Sequence, residues 1–323
     1  MLEVGINAAP LAAERTGVGR YIAGLLDSLA AMKPDGVRAR PLFLPGAPTR
    51  GLRRVLKRLP FAYSLADAGR AAVLWRERPT VYHETNHAAP LFRGPVVLTV
   101  HDLSTVLYPQ TQEPARARHF ARKLRSARFA ERVIVPTEAI AREVVEHLAV
   151  PRERVRVIHH GVDARFSPAQ VPRARFVLYA GDAGPRKGLA TLRSGLPEGV
   201  ELKVAGPGHG YVSDDELLAL YRAAAVLVLP SLYEGFGFPL VEAMACGTPC
   251  IASDDPALVE VSGGAALHFP RGDPGALRLL LWRVLDDASL RDELSRRGIE
   301  RARAFRWERS AALHVEVYRE AGR

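Results

Sequence analysis

Two carboxylates stand eight residues apart in a glycine-rich segment of the second half of the chain. Glu234 is followed by Gly235 and Gly237, and Glu242 falls in an apolar stretch that begins at Pro239. Glycine lets backbone N–H groups approach a ligand closely, and a glycine loop that leads into a helix N-terminus is typical of a diphosphate site. Because carboxylates repel phosphate, we expect both acids to accept hydrogen bonds from hydroxyls of a ribose or a hexose. The alternative is that they only favour the helix dipole.

Two further candidate features lie in the first half of the chain. His101 and Asp102 end a predicted strand at residues 96–100, and residues at the carboxyl end of a parallel strand point into the cleft where ligands bind. Gly17 and Gly19 follow the first predicted strand and precede a helix, where a tight turn alone would also need glycine. Both features are compatible with a ligand site and with a purely structural role.

Short β-branched or apolar runs alternate with helical stretches, which is the pattern of a parallel α/β fold. In the first half we predict strands at residues 3–7, 81–83, 96–100, 132–136 and 155–159, and helices at 21–32, 52–59, 116–130 and 137–148. In the second half we predict strands at 176–180, 200–205, 225–229, 249–252 and 265–269, and helices at 216–223, 239–246, 274–285, 290–304 and 307–320. Periodicity stops at 163–173, where two prolines indicate a linker. The sequence therefore predicts two Rossmann-like domains with parallel sheets that face each other across a cleft.

Composition narrows the class of protein. The 323 residues are enough for two domains, and 48% hydrophobic with 25% charged residues indicate a globular chain. Cys246 and Cys250 lie in an apolar stretch, which predicts core residues and makes a disulfide framework or a zinc site implausible. No apolar run approaches the ~20 residues that cross a bilayer, and the N-terminus lacks the pattern of a signal peptide. We therefore predict a cytoplasmic protein.

The formal net charge of +10 favours an anionic partner, such as a nucleic acid, an acidic membrane face or a phosphorylated small molecule. Basic residues concentrate at 50–60 and 115–128. In the first stretch a predicted helix has one apolar face, and its other face carries Arg53, Arg54, Lys57 and Arg58. Such a helix could lie on the inner face of the membrane and serve a lipid-linked acceptor. An ordinary surface helix with a packed apolar face is the alternative.

Residues 231–249 read Ser-Leu-Tyr-Glu-Gly-Phe-Gly-Phe-Pro-Leu-Val-Glu-Ala-Met-Ala-Cys-Gly-Thr-Pro. This string resembles the Glu-x7-Glu signature of retaining glycosyltransferases of the GT-B fold, specifically family 4, which includes mannosyl- and glucosyltransferases. The resemblance spans nearly the whole chain. It implies an N-terminal acceptor-binding domain at 1–165, a C-terminal nucleotide-sugar-binding domain at 174–305, and a last helix at 306–323 that crosses back. It also implies transfer of a hexose from a GDP-, UDP- or TDP-linked donor with retention of anomeric configuration and without a metal or other cofactor.

The resemblance gives the residues of the glycine-rich segment their roles. Glu242 would hold the ribose hydroxyls, and Glu234 would face the donor sugar. The backbone N–H groups of Phe236 and Gly237, in the same loop as Gly235, would assist at the donor.

The resemblance also covers the loop that follows the first strand of the second domain. There Arg186 and Lys187, close to Gly181, would neutralise the departing diphosphate, and fixed cations stabilise the charge that gathers on such a leaving group. An Arg-Lys pair in a turn is usually only solvated. Its place after a strand and a glycine favours the phosphate contact here.

In the first half, the resemblance implies that His101 contacts the donor sugar and that Gly17 and Gly19 border the donor phosphates and the acceptor. It weakens after Gly206, where relatives generally carry a further helix and strand near the nucleobase. The C-terminal sheet is therefore expected to be short of a strand, and the base is the feature least well predicted.

Other classes of protein could share two such domains. A nucleotide-sugar binding protein without turnover and a sugar-nucleotide epimerase are the main alternatives. A phosphorylase of this fold would need a pyridoxal-binding lysine, and only Lys187 and Lys203 follow Lys123. Nucleic-acid binding is suggested by charge alone, and we predict none.

Overall fold

The computed structural model describes residues 1–12, 16–44, 62–86, 92–111, 113–206 and 212–323. The predicted helix at 52–59, with Arg53, Arg54, Lys57 and Arg58, lies outside these described residues. Within the described ranges no helix is both long and apolar enough to cross a membrane. The chain folds into two parallel sheets with helices around them, which confirms the predicted α/β class.

The first sheet comprises β1 (Leu2–Asn7), β2 (Val37–Leu42), β3 (Val81–Glu84), β4 (Val96–Thr99), β5 (Arg132–Val135) and β6 (Val155–Val157). All neighbouring strands are parallel, in the order β2-β1-β3-β4-β5-β6. The described helices of this half are α1 (Gly17–Met32), α2 (Ala62–Glu77), α3 (Ser104–Leu107), α4 (Pro114–Leu124) and α5 (Glu138–Leu148). The helix expected at 116–130 ends at Leu124 and continues as a 3₁₀ helix, Arg125–Phe129.

The second sheet comprises β7 (Ala174–Ala180), β8 (Glu201–Ala205), β9 (Ala224–Leu229), β10 (Cys250–Ser253) and β11 (Leu267–Phe269), in the order β11-β10-β9-β7-β8. Its helices are α6 (Leu189–Gly195), α7 (Asp214–Ala223), α8 (Phe238–Ala245), α9 (Pro256–Ser262), α10 (Pro274–Asp286) and α11 (Ala288–Ala302), and α12 (Trp307–Ala321) follows. Among the described residues this sheet has one strand fewer than the first. Residues 207–211, in the segment where the resemblance weakens, are not described.

Local sequence explains most of these elements. Every residue of β9 is buried, as expected for a central strand covered on both faces. The Thr137 hydroxyl caps α5 by accepting the N–H of Ile140 at 3.3 Å, and Ser213 and Glu216 form a capping box at α7. Cys246 and Cys250 are buried free thiols, which confirms their prediction as core residues.

Sequence patterning missed β2, α2 and α9. β2 contains Arg38, Arg40 and Pro41, so its pattern is neither alternating nor apolar. It lies at the edge of the sheet, where one flank has no hydrogen-bonding neighbour and proline is tolerated. α9 has only seven residues, too few to show helical periodicity.

The last helix packs on the first sheet. Ala311, Val315 and Tyr318 of α12 share a buried core with Val4 and Ile6 of β1. At the start of α12 the Trp307 indole lies against Gly24 of α1 and against Gly161, which follows β6. The helix is therefore part of the first domain's core although it is last in sequence.

We expect Gly161→Ala to destabilise the fold by about 2–3 kcal/mol, because a Cβ there would lie 2.5 Å from the Trp307 ring and would overlap its backbone. The free energy of unfolding from chemical denaturation measures the effect. Gly36→Ala is the control, since Gly36 has open space around it and only a left-handed φ of 70°, which should cost about 1 kcal/mol. Equal losses in the two variants would contradict the importance of the Trp307 contact.

Candidate functional site

The two sheets open into one cavity of about 1000 Å³. Ten of the eleven predicted site residues line it: Gly17, His101, Gly181, Arg186, Lys187, Glu234, Gly235, Phe236, Gly237 and Glu242. The eleventh, Gly19, belongs to the cap of α1, where its N–H donates to Thr16 Oγ1 at 3.2 Å. The fold therefore brings together residues that are up to 225 positions apart, from Gly17 to Glu242.

Glu234 is held by the predicted cation loop. Lys187 Nζ donates to both carboxylate oxygens, at 2.7 and 2.9 Å, and the Ser231 hydroxyl donates to Oε1 at 2.7 Å. Arg186 Nη1 lies 3.9 Å from Glu234 Oε2 and also donates to the carbonyl of Tyr233. Glu234 is only 8% exposed, so these charge-assisted hydrogen bonds are largely shielded from water and strong. The first signature acid and the cation loop thus form one unit.

Glu242 is bound from both domains. Its Oε1 accepts a hydrogen bond from the guanidinium of Arg20, in α1 of the first domain. Its Oε2 accepts the hydroxyl of Tyr221, in α7, at 2.9 Å. Burial, together with the nearby charge of Glu242, raises the pKa of Tyr221 well above its usual value, so the phenol stays a donor. Sequence reasoning missed both partners, although Arg20 directly follows the Gly-x-Gly that it singled out.

The glycine-rich loop touches the first domain directly. A Cβ on Gly235 would overlap the carbonyl oxygen of His101 and lie 3.2 Å from the Asp102 side chain. The Thr137 hydroxyl donates to the Gly235 carbonyl at 3.1 Å. Glycine at 235 is therefore required for the approach of the two domains as well as for access of a ligand.

His101 has a defined tautomer. Its Nε2 lies 2.9 Å from the carbonyl oxygen of Thr85, and because a carbonyl can only accept, Nε2 carries the proton. Asp102, half-buried beside His101, accepts the N–H of Ser104 at 2.8 Å and so stabilises the turn that follows β4.

A second histidine, which sequence reasoning did not select, also lines the cavity. His160 lies in the segment between β6 and the predicted linker, is 2% exposed, and stacks on Phe238 with ring centroids 5.2 Å apart. Its ring centroid is 5.5 Å from that of His101. Burial, and then the neighbouring imidazoles, lower the pKa of His160 well below its usual value, so the ring is neutral.

Beneath the cavity a chain of hydrogen bonds joins α1, β3, β4 and α12. Its side chains are Tyr21, His83, Thr99, His314 and Tyr318. His314 Nδ1 donates to a backbone carbonyl of α12 at 2.7 Å, so its Nε2 can accept the Tyr21 hydroxyl at 2.8 Å. Each ring is satisfied in its neutral form, and the Tyr21 ring packs against His101 and His160, which line the cavity.

Comparisons with known proteins identify the family of the chain. The sequence model described as "Glycosyltransferase Family 4" matches residues 15–166, and that described as "Glycosyl transferases group 1" matches residues 200–301. The chain is 26% identical to the O-antigen chain mannosyltransferase B of Escherichia coli, over 96% of this chain and 97% of that protein. It is 32% identical to the MMP α-(1→4)-mannosyltransferase of Mycolicibacterium hassiacum, over 70% of this chain and 66% of that protein. The chain belongs to the family 4 glycosyltransferases and is an enzyme of that class.

Solved structures share the fold. Sucrose-phosphate synthase from Thermosynechococcus elongatus superposes with a TM-score of 0.78 at 21% identity, over 99% of both chains. Anabaena HepE in complex with UDP-glucose superposes with a TM-score of 0.74 at 16% identity, over 98% of this chain and 99% of that chain. The predicted GT-B architecture is confirmed.

Proposed function

We propose that this glycosyltransferase moves a hexose from a nucleoside diphosphate sugar to a hydroxyl of a glycan, lipid-linked or small-molecule acceptor, with retention and without a metal ion. The observation that carries the proposal is the pairing of Glu234 with Lys187 and of Glu242 with Arg20 in one cavity. Carboxylates that can bind hydroxyls stand beside cations that can bind phosphate. A nucleoside diphosphate sugar carries both kinds of group.

In the proposed reaction the bond between the anomeric carbon and the β-phosphate oxygen breaks. The acceptor oxygen bonds to the same face of that carbon, and the acceptor proton passes to the leaving phosphate oxygen. Arg186 and Lys187 would face this phosphate, whose negative charge grows as the bond breaks. Fixed cations placed there supply the charge stabilisation that a metal ion gives in other enzymes.

Two observations refine the donor and the acceptor. Both relatives reported above are mannosyltransferases, which favours mannose as the transferred hexose. One of them is named for the O-antigen chain, which favours a glycan as the acceptor. His101 lines the cavity at the end of β4, and we assign it to a contact with the donor sugar.

A thermal-shift screen against UDP, GDP, TDP, ADP and CMP, with their common sugar conjugates, tests the proposal. A ligand that binds only the folded state raises the unfolding midpoint in proportion to its occupancy. We expect one nucleoside diphosphate and its hexose conjugate to raise it clearly. A folded sample that responds to no member of the panel would overturn the proposed function.

We expect Glu242→Ala to weaken binding of that nucleotide about 10- to 100-fold, since it removes a charged acceptor of the ribose hydroxyls and such hydrogen bonds contribute about 1.5–3 kcal/mol. Isothermal titration measures the affinity. Glu293→Ala is the matched control, because Glu293 pairs with Arg297 on the exposed side of α11, and it should bind like the unaltered protein. An unchanged affinity in Glu242→Ala would refute the ribose role.

A further inference from the structure

We infer that Arg20 is a donor-binding residue that exchanges partners. In the structure it holds Glu242, and when a ribose takes that carboxylate the guanidinium moves to the diphosphate. The inference rests on the proposed function, because it requires a ligand with a ribose and a diphosphate.

Arg20 is placed to serve both partners. It is the fourth residue of α1 and lines the cavity from the first domain, whereas Glu242 lines it from α8 of the second. Among the described residues, Arg20 is the one Arg or Lys that the first domain contributes to this cavity. A contact from Arg20 to a donor would therefore link the two domains through the ligand.

The two partners of Glu242 differ in how easily they can leave. Tyr221 is completely buried, and its hydroxyl is fixed by the packing of α7. The side chain of Arg20 is 33% exposed and has a long flexible stem, while that of Glu242 is 3% exposed. A ribose diol that binds both oxygens of Glu242 needs space beside Oε1, which Arg20 contacts, and beside Oε2, where the Tyr221 hydroxyl is fixed. Arg20 is the partner that it displaces.

A displaced guanidinium in this cavity needs a new anion. Glu234, the other signature acid, already accepts Lys187 and Ser231. The diphosphate brings negative charge into the same space, and the planar guanidinium matches phosphate oxygens in a two-pronged geometry. Arg20 also lies in the first turn of α1, whose positive dipole end favours an anion beside it. The ion pair seen in the structure thus keeps the Arg20 cation in the cavity until the sugar donor binds.

An Arg20 side chain that did not bind the diphosphate would give different results. If Arg20 only blocked Glu242, removing it would improve the binding of a nucleoside and of its diphosphate alike. If Arg20 only supported the fold, removing it would weaken both equally. The exchange predicts that removing Arg20 weakens diphosphate binding but does not weaken nucleoside binding, because the nucleoside loses a competitor while the diphosphate loses a cation.

The experiment compares the affinities of UDP and GDP with those of uridine and guanosine, for the base that the protein accepts, by isothermal titration and millimolar thermal shifts. In Arg20→Ala we expect diphosphate affinity to fall about 10- to 100-fold, as for the loss of one charged contact, and nucleoside affinity to stay equal or rise. Arg20→Gln, which can still donate to Glu242 without a charge, should show the same fall if Arg20→Ala does not fold. Arg38→Ala is the matched control, since Arg38 is 70% exposed on β2, and should bind like the unaltered protein.

Two results would overturn the inference: a diphosphate affinity that is unchanged or higher in the Arg20 variants, or an equal loss for nucleoside and diphosphate. Failure of the unaltered protein to bind either UDP or GDP, or any other nucleotide of the screening panel, is a different result. It would remove the proposed function itself.

Discussion

Lys187→Ala should lower kcat by about 10²- to 10⁴-fold and change the donor KM by less than about tenfold. The ammonium group of Lys187 is fixed on Glu234 by two short contacts and lies in the donor cavity. A departing diphosphate gains negative charge between the ground state and the transition state, so a fixed cation binds the transition state more strongly. Removing this cation is therefore expected to lower kcat far more than it changes KM.

Steady-state kinetics with the donor found by thermal shift measures this effect. Lys203→Ala is the matched control, because Lys203 lies outside the donor cavity, with Nζ 4.2 Å above the Phe176 ring and a 39% exposed side chain. Removing Lys187 also leaves Glu234 without its main partner, which is destabilising for a buried carboxylate. The free energy of unfolding of the Lys187→Ala variant, measured by chemical denaturation, separates this loss of stability from the loss of turnover. A folded Lys187→Ala enzyme that keeps more than about a tenth of the kcat would refute the assigned role.

Acidification from pH 7 to pH 5 should destabilise the protein before its surface carboxylates are protonated. Burial lowers the pKa of His314 to about 4, and it also lowers the pKa values of His83 and His160 well below their usual range. In the unfolded chain each of these rings titrates near its ordinary pKa of ~6.5. Below that pH the unfolded state binds more protons than the folded state, so the free energy of unfolding falls as the pH falls.

The size of the effect follows from proton counting. Each additional proton on the unfolded state costs about 1.4 kcal/mol per pH unit, so three histidines lose roughly 6 kcal/mol between pH 7 and pH 5. Burial raises the pKa of Asp255 to about 6 and raises that of Glu84, and both shifts act in the opposite direction as the pH falls. We expect a net loss of stability to remain, and a folded domain typically has only about 5–15 kcal/mol to lose.

Chemical denaturation at several pH values between 7 and 5 measures this loss. His314→Gln should lower the free energy of unfolding at neutral pH. It should also reduce the slope of that free energy against pH by the contribution of about one proton. His147→Gln, at a partly exposed position on α5, is the control for replacing an imidazole outside the buried network. A free energy of unfolding that is constant over this range would show that the buried imidazoles do not stay neutral.

Much of the fold could be predicted from local sequence. The strands are short apolar runs, and helices such as α5 begin at a threonine cap and carry their apolar residues on one face, because both patterns arise from local geometry. Elements without such a pattern were missed. β2 is recognisable as a strand only because it pairs with β1 at the sheet edge, and this pairing is a long-range contact.

The candidate site shows the same division. Glycines, signature acids and the Arg-Lys pair could be selected from type and spacing, since diphosphate and hydroxyl binding require these groups near a glycine loop. The hydrogen-bond and ion-pair partners of these residues could not be predicted from the sequence. Arg20 and Glu242 are separated by 222 positions. His160 lines the cavity only because the segment that follows β6 packs against Phe238 of the second domain.

The sequence by itself determined the class of protein, its two sheets and the residue types of the donor site. The tertiary structure decided which cation pairs with which carboxylate, which glycine permits the domains to touch, and which histidines are buried and neutral. The physical reason is that composition and periodicity record each residue's local environment. Ion pairing and desolvation depend instead on which distant residues the fold brings within a few ångströms.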